Sequence, residues 1–244
     1  MNSTRLDEEL VARGLIQSRS RARDAVLRGL VLVNGAPARK ASQSIFANDV
    51  LALKDESGRY VSRAAFKLIH ALDHFAIAVN SRHCLDIGAS TGGFTQVLLE
   101  RGAAHVTAVD VGHDQMVAQI ADDPRVTLHE DTNARDLTGE IVSPDVSLIV
   151  VDVSFIPLHI ALPACLGLVA ANAVLVALLK PQFEVGRAHI GKGGIVSDEA
   201  QIERVCTEVS AFFEQQAWHV KGLIPSPMDG GDGNREFLIA AVKH

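Results

Sequence analysis

Between Val153 and Leu179 the chain has no Asp, Glu, Lys or Arg; then Lys180 arrives, closed off at once by Pro181. Three structures meet that description: a bilayer span with a positive flank, a buried strand with an ordinary charged end, or a strand that delivers a lysine into a cleft. Ile160–Leu179 is long enough for a bilayer by the ~20-residue criterion, but Pro163, Gly167 and Asn172 interrupt it. The stretch reads instead as a buried crossover helix in "LHIALPACLGLVA", a stop at Ala171–Asn172, and a core strand in "AVLVALL". Parallel sheets covered on both faces require such continuously apolar strands.

The rest of the chain after residue 83 agrees. "HCLDIGAS", "HVTAVDVG", "RVTLHED" and "VSLIVVDVSF" read as strands, and "GGFTQVLLERG" and "DQMVAQIAD" as helices between them. Such alternation predicts a doubly wound parallel α/β sheet, whose ligands bind outside the carboxyl ends of the strands. A helix is predicted to begin at Ser62, with Ala65, Leu68, Ile69 and Leu72 on one stripe. Lys67 lies off that stripe, four residues from Arg63; two cations at that spacing repel, so either water solvates them or an anion or acidic residue stands nearby.

"LDIGASTGGFT" (85–95) sets a glycine turn between a strand and a helix. It reads D-x-G-x-x-x-G-G, unlike the G-x-G-x-x-G of dinucleotide sites. Gly88 permits the tight turn, and Gly92 and Gly93 allow a ligand close to the helix start. Asp86 just before the turn suits a ligand that carries positive charge and no phosphate; S-adenosylmethionine is one. Asp110 ends the next strand, where its carboxylate can accept both hydroxyls of a ribose. The expected cofactor residues are Asp86, Gly88, Ala89, Ser90, Thr91, Gly92, Gly93, Phe94, Asp110 and Asp152, with Asn133 from the loop "EDTNARD". Asp152 and Lys180 both stand at carboxyl ends of predicted strands, so they can share one cleft. A structural ion pair and a reactive pair satisfy that placement equally.

The net charge of −6 is uneven: residues 1–54 carry nine Lys/Arg against five Asp/Glu, and the remainder fourteen against twenty-four. A basic head on an acidic body suggests a polyanionic partner. The head reads as a compact α/β unit: helices over "LDEELVARGL" and "SRSRARDAVLRG" (Ser18 as N-cap), a hairpin turning at Asn34–Gly35, and a returning strand "DVLAL". "KDESGRYVSR" reads as a linker. The expected division is 1–54, linker 55–61, and 62–244. Three isolated cysteines and an N-terminus without an apolar run fit a reducing cytoplasm, and ten histidines in no ligand spacing predict no metal.

The pattern of residues 3–54, RLDEELVARGL-x-x-SR to G-x-V-x-VNG, resembles the S4 RNA-binding domain. That resemblance implies contact with structured RNA through phosphates and shape. The expected contacts are Arg5, Arg13, Arg19, Arg21, Arg23, Arg28, Lys40 and Arg63, joined by Arg187 and Lys192 from the glycine-rich loop 184–198. The set Lys67, Asp152, Lys180 and Glu236 (in "GNREF") resembles the Lys-Asp-Lys-Glu tetrad of FtsJ-like RNA ribose 2′-O-methyltransferases. With "VSRAAFKL", "GASTGGFT", "DVSFI" and "LLKPQFEVG", the chain resembles the TlyA family from residue 3 to its last strand. The resemblance implies a Rossmann-like methyltransferase domain, S-adenosylmethionine, and a cytidine ribose in ribosomal RNA, in the free RNA or a ribosomal subunit. The chain stops shortly after its last strand, at "AAVKH", which leans toward the large-subunit site alone.

The implied chemistry is physically sensible. A ribose hydroxyl attacks a sulfonium methyl only as it loses its proton. A lysine, ~10.4 unperturbed, serves as base once desolvation and a neighbouring cation favour its neutral form. Lys180 is the expected catalytic lysine, oriented by Asp152, with Glu236 holding Lys67. "VGHDQM" departs from the glycine-glutamine-leucine usual in relatives. Two rivals stand beside this reading: a membrane-active haemolysin, and an RNA-binding assembly factor without turnover.

Overall fold

The computed structural model describes residues 3–16, 18–27, 29–53 and 59–244. Arg28 and most of the expected linker lie outside them. The chain forms two compact units, Met1–Arg63 and Ala64–His244.

In the first unit, β1 (Thr4–Arg5) leads into α1 (Leu6–Ala12) and α2 (Arg19–Leu27). β2 (Val31–Val33) and β3 (Ala36–Pro37) form the expected hairpin, with Asn34 and Gly35 both at positive φ. β4 (Ser44–Ile45) pairs with β1, and β5 (Leu51–Leu53) with β2. Leu6, Leu10, Ile16, Ala22, Ala25, Val26 and Val31 pack into one small core. Full burial of each Leu, Ile or Val side chain among them is worth about 1.5–3 kcal/mol. Ser18 Oγ accepts the Arg21 N–H, as its N-cap position requires.

The second unit opens with α3 (Ala64–His74), then alternates β6 (His83–Ile87), α4 (Gly93–Glu100), β7 (His105–Val109), α5 (Ala118–Ala121), β8 (Val126–His129) and β9 (Val146–Val151). There follow α6 (Leu158–Ala161), α7 (Pro163–Leu166), β10 (Val174–Leu179), α8 (Pro181–Glu184), α9 (Glu199–Gln215), β11 (Trp218–Pro225) and β12 (Phe237–Lys243). The sheet order is β11-β12-β10-β9-β6-β7-β8. The five strands β6–β10 run parallel, while β12 is antiparallel to both of its neighbours. The sheet is therefore mixed at one edge, not parallel throughout. The chain runs outward through β7 and β8, then returns to β9 on the other side of β6. That reversal opens a crevice at the carboxyl ends of β6 and β9.

Two predicted helices are shorter than expected. Of "DQMVAQIAD" only Ala118–Ala121 is helical. Asp114 sits at positive φ, and the N–H groups of Asp114 and Gln115 go to the Glu130 carboxylate instead of into a helix. The crossover "LHIALPACLGLVA" is split into α6 and α7 by Pro163, which has no N–H to continue the ladder. The apolar stretch before Lys180 is thus two short helices and the core strand β10, whose Leu175–Leu179 are all buried. Among the described residues no helix is long and apolar enough to cross a membrane.

Candidate active site

Gly88 ends β6 at φ +84°, and a Cβ there would stand 2.4 Å from the Asp152 carbonyl oxygen. Only glycine lets the two strand ends approach so closely. The Gly88 and Ala89 N–H groups both reach the Val109 carbonyl, which locks the turn to the end of β7. Asp110 Oδ2 then accepts the Ser90 N–H at 2.7 Å, and Oδ1 accepts the Gly112 N–H at 2.7 Å. Each oxygen keeps a lone pair for a ligand hydroxyl.

Beside this turn lies a cavity of about 750 Å³, walled by Gly88, Ser90, Asp110, Asn133 and Asp152 among others. Ala89, Thr91, Gly92, Gly93 and Phe94, expected to touch the ligand, are not part of its lining. Ala89, Gly93 and Phe94 are buried, and Gly92, at φ +94°, caps α4 against Ile120. They build the turn that the wall rests on. The sequence missed Val111 and Ile160, apolar yet exposed (71% and 44%), on the same cavity. Their apolar faces suit a flat heterocycle, and nothing in their local pattern announces it.

Asp86 is fully buried behind the turn. Its Oδ2 accepts the Thr95 hydroxyl at 2.6 Å, while Oδ1 is a buried acceptor with no hydrogen-bond partner among the described residues. Burial pushes its carboxyl up to about 7, helped by the Asp152 and Asp110 charges and opposed by the Thr95 bond. A buried, orphaned carboxylate oxygen behind a glycine turn fits a cationic ligand group.

The four remaining residues assemble as two ion pairs. Lys180 Nζ lies 2.6 Å from Asp152 Oδ1, and both side chains are largely buried. The angle does not suit a hydrogen bond to that oxygen; Nζ donates to Ser154 Oγ at 2.8 Å. Lys67 Nζ lies 2.5 Å from Glu236 Oε2, with both side chains almost wholly buried. Lys67 faces inward, and of the two outcomes its spacing from Arg63 allowed, solvation or an acidic partner, the structure shows the second, Glu236. Burial raises the Glu236 carboxyl, while Lys67 opposes the shift. Leu179 pairs with Phe237 across β10 and β12, which brings Lys180 and Glu236 to one edge of the sheet. Gly230 leaves room for the Glu236 carboxylate: a Cβ there would meet Oε1 at 2.7 Å.

Asn234, another residue the sequence did not flag, is 1% exposed. Its Oδ1 accepts the Val196 N–H, and its Nδ2 donates to the Gly194 carbonyl and to Asp232 Oδ2. It ties the glycine-rich loop to the approach to Glu236. Arg187 and Lys192 sit exposed on two 3-10 turns of that loop.

In the first unit the basic residues divide. Arg5, Arg19 and Arg23 converge on Asp7, which is fully buried and which the sequence did not single out. Their guanidinium groups, Arg5 first, hold its carboxyl far below the usual range despite its burial. Arg13 donates to the carbonyls of Phe46, Ala47 and Asp49, and Arg21 to those of Tyr60 and Val61. Arg13 and Arg21 therefore serve the fold first. Lys40 and Arg63 are exposed, and Lys40 joins Arg39 on a shallow depression of about 520 Å³ beside the hairpin.

Fold and site together define a Rossmann-like methyltransferase domain preceded by an S4 unit. The S4 domain profile matches residues 4–51, and the FtsJ-like methyltransferase profile residues 60–243. The chain belongs to the FtsJ-like methyltransferase family, in its TlyA branch. It is 46% identical, over 96% of its length and 88% of the relative's, to the 16S/23S rRNA (cytidine-2'-O)-methyltransferase TlyA of Mycobacterium tuberculosis. It is 36% identical to the 23S rRNA (cytidine-2'-O)-methyltransferase TlyA of Campylobacter jejuni, over 83% and 78%. A solved chain of Streptococcus thermophilus with a provisional hemolysin name is 41% identical, with a TM-score of 0.76 over all of this chain and 89% of that one.

Proposed function

We propose that the protein methylates the 2′-hydroxyl of a cytidine ribose in ribosomal RNA, using S-adenosylmethionine, in the cytoplasm. The observation that carries this reading is the double placement of Asp152: it lines the cavity and lies 2.6 Å from the Lys180 ammonium. Asp86, Gly88, Ser90, Asp110 and Asn133 are the residues that would hold the cofactor, with Val111 and Ile160 against its base. Bound there, S-adenosylmethionine supplies an electrophilic methyl group on a cationic sulfur. Asp152 and Ser154 orient Lys180 toward the target hydroxyl, and Lys180 takes up or steers its proton. Glu236 keeps Lys67 in place beside it, and alignment of the reacting groups supplies much of the rate.

Phe155 is 89% exposed, at positive φ, with its ring centroid 4.9 Å from that of Phe183. It offers an aromatic face to a base turned out of its helix. Lys40, Arg63, Arg187 and Lys192 are the exposed cations proposed to meet RNA phosphates, with the outer edges of Arg5, Arg19 and Arg23. We assign residues 1–54 to RNA binding and 62–244 to catalysis. Both relatives' names include large-subunit RNA, so that RNA is the first substrate, with small-subunit RNA the second. Mass spectrometry of nucleosides from treated subunits is expected to show 2′-O-methylcytidine. A methyl group found only on a base would overturn the assignment.

A further inference from the structure

Glu184 is a buried carboxyl that the chemistry above does not use. Its side chain is 5% exposed, and Oε1 accepts the Leu158 N–H at 2.8 Å. Leu158 begins α6, directly after the loop that carries Asp152, Ser154 and Phe155. Residues 180, 183 and 184 share one face of the α8 turn. Each holds a successive point of the 152–158 segment: Lys180 holds Asp152 and Ser154, Phe183 packs on Phe155, and Glu184 holds Leu158. Gln182 points elsewhere, to Asp232.

Lys180 and Phe183 touch groups that must also meet substrate. None of the three lines the cavity itself; the partners of Lys180 and Phe183 (Asp152, Ser154 and Phe155) do, whereas Leu158, the partner of Glu184, does not. Phe155 adds a second reason for an anchor. A bulky side chain at φ +65° persists only where the surrounding structure holds it. Around Glu184 stand His159 of α6, with Nδ1 3.8 Å from Oε2, and Arg204 and Glu208 of α9, paired with each other. Arg204 also donates to the Val185 carbonyl. Burial pushes the Glu184 carboxyl up to about 7, with the Leu158 bond opposing and Glu208 adding. In either protonation state one oxygen remains to accept the Leu158 N–H.

We propose that Glu184 is a positioning residue: by holding the Leu158 N–H it fixes the 153–157 loop, and with it Ser154 and Phe155, in the conformation that receives the target nucleotide. This rests on the proposed RNA methylation. Two variants separate shape from hydrogen bonding. Glu184→Gln keeps an acceptor oxygen, and Glu184→Met fills the same volume without one.

Hydrogen exchange over residues 153–162 of the ligand-free protein reads the loop directly. Steady-state methyl transfer to ribosomal subunits reads its use. Glu184→Met is expected to speed exchange in that segment and to lower kcat/KM for RNA about 10- to 100-fold, the range set by one lost base-stacking contact. S-adenosylmethionine affinity should stay within about twofold of wild type, and Glu184→Gln should restore both exchange and turnover. Unchanged exchange or unchanged turnover in Glu184→Met would overturn the proposal, as would a Glu184→Gln variant no better than Glu184→Met. Absence of methyl transfer by wild type would instead remove the functional reading, and the exchange measurement would still decide whether Glu184 holds the loop.

Discussion

Asp86 is the residue whose chemistry can be tested in isolation. In the ligand-free protein it holds a proton up to about pH 7 because burial penalises its charge. Unfolded, it would release that proton near ~4. The retained proton therefore favours the folded chain at low pH, and that contribution falls as pH rises from about 4 to about 7. A cationic ligand has the opposite demand, since it binds the ionised carboxylate and must displace the proton. S-adenosylmethionine affinity is accordingly expected to rise with pH up to about 7 and level off above it. In Asp86→Asn it should be at least about tenfold weaker and flat with pH, for loss of one charge-assisted bond. Titration calorimetry from pH 5.5 to 8.5 checks this, and a pH-independent wild type would remove Asp86 from the site. The placement of Asp86 behind the glycine turn was legible, because the acid stands two residues before Gly88 at the end of an apolar strand pattern. Val111 and Ile160 were not, because an exposed apolar residue in a loop or a one-turn helix carries no pattern until the fold shows what it faces.

At the level of elements, the glycine-rich loop and the approach to Glu236 behave as one piece through Asn234. Asn234→Ala removes three side-chain hydrogen bonds and strands the buried Val196 N–H. Each buried group left unpaired costs about 1–3 kcal/mol. Thermal denaturation should fall by roughly 5–10 °C, and turnover should drop with it. An unchanged melting temperature would mean that the loop is held by other contacts. Long apolar strands such as β10 were readable because parallel sheets need them on both faces. The short helices were not. Apolar periodicity in "DQMVAQIAD" cannot register that Glu130, distant in sequence, captures the N–H groups such a helix would start with. The antiparallel edge was equally hidden, because strand direction is fixed by how the preceding connection returns, and no residue of β12 encodes it.

The molecule as a whole joins a basic S4 unit to a methyltransferase domain. Lys40 is exposed and belongs to the first unit. Lys40→Ala should weaken ribosomal RNA binding and lower its salt dependence by roughly one unit of slope, with S-adenosylmethionine affinity unchanged. Filter binding at several salt concentrations measures it, and an unchanged slope would place the phosphate contacts elsewhere. The basic head was legible as an excess of charge, but Asp7 beneath Arg5, Arg19 and Arg23 was not. Sequence shows which residues are charged, and only the fold shows which of those charges are already spent. The central claim is that Lys180 drives methyl transfer to ribose. Its most direct test is transfer of labelled methyl from S-adenosylmethionine to purified ribosomal subunits, with wild type beside Lys180→Ala. Label is expected on a cytidine ribose with wild type, with a loss of about 10²–10⁴-fold in the variant, cofactor binding being retained. Cofactor binding without label on either subunit, or a Lys180→Ala variant as active as wild type, would contradict that claim.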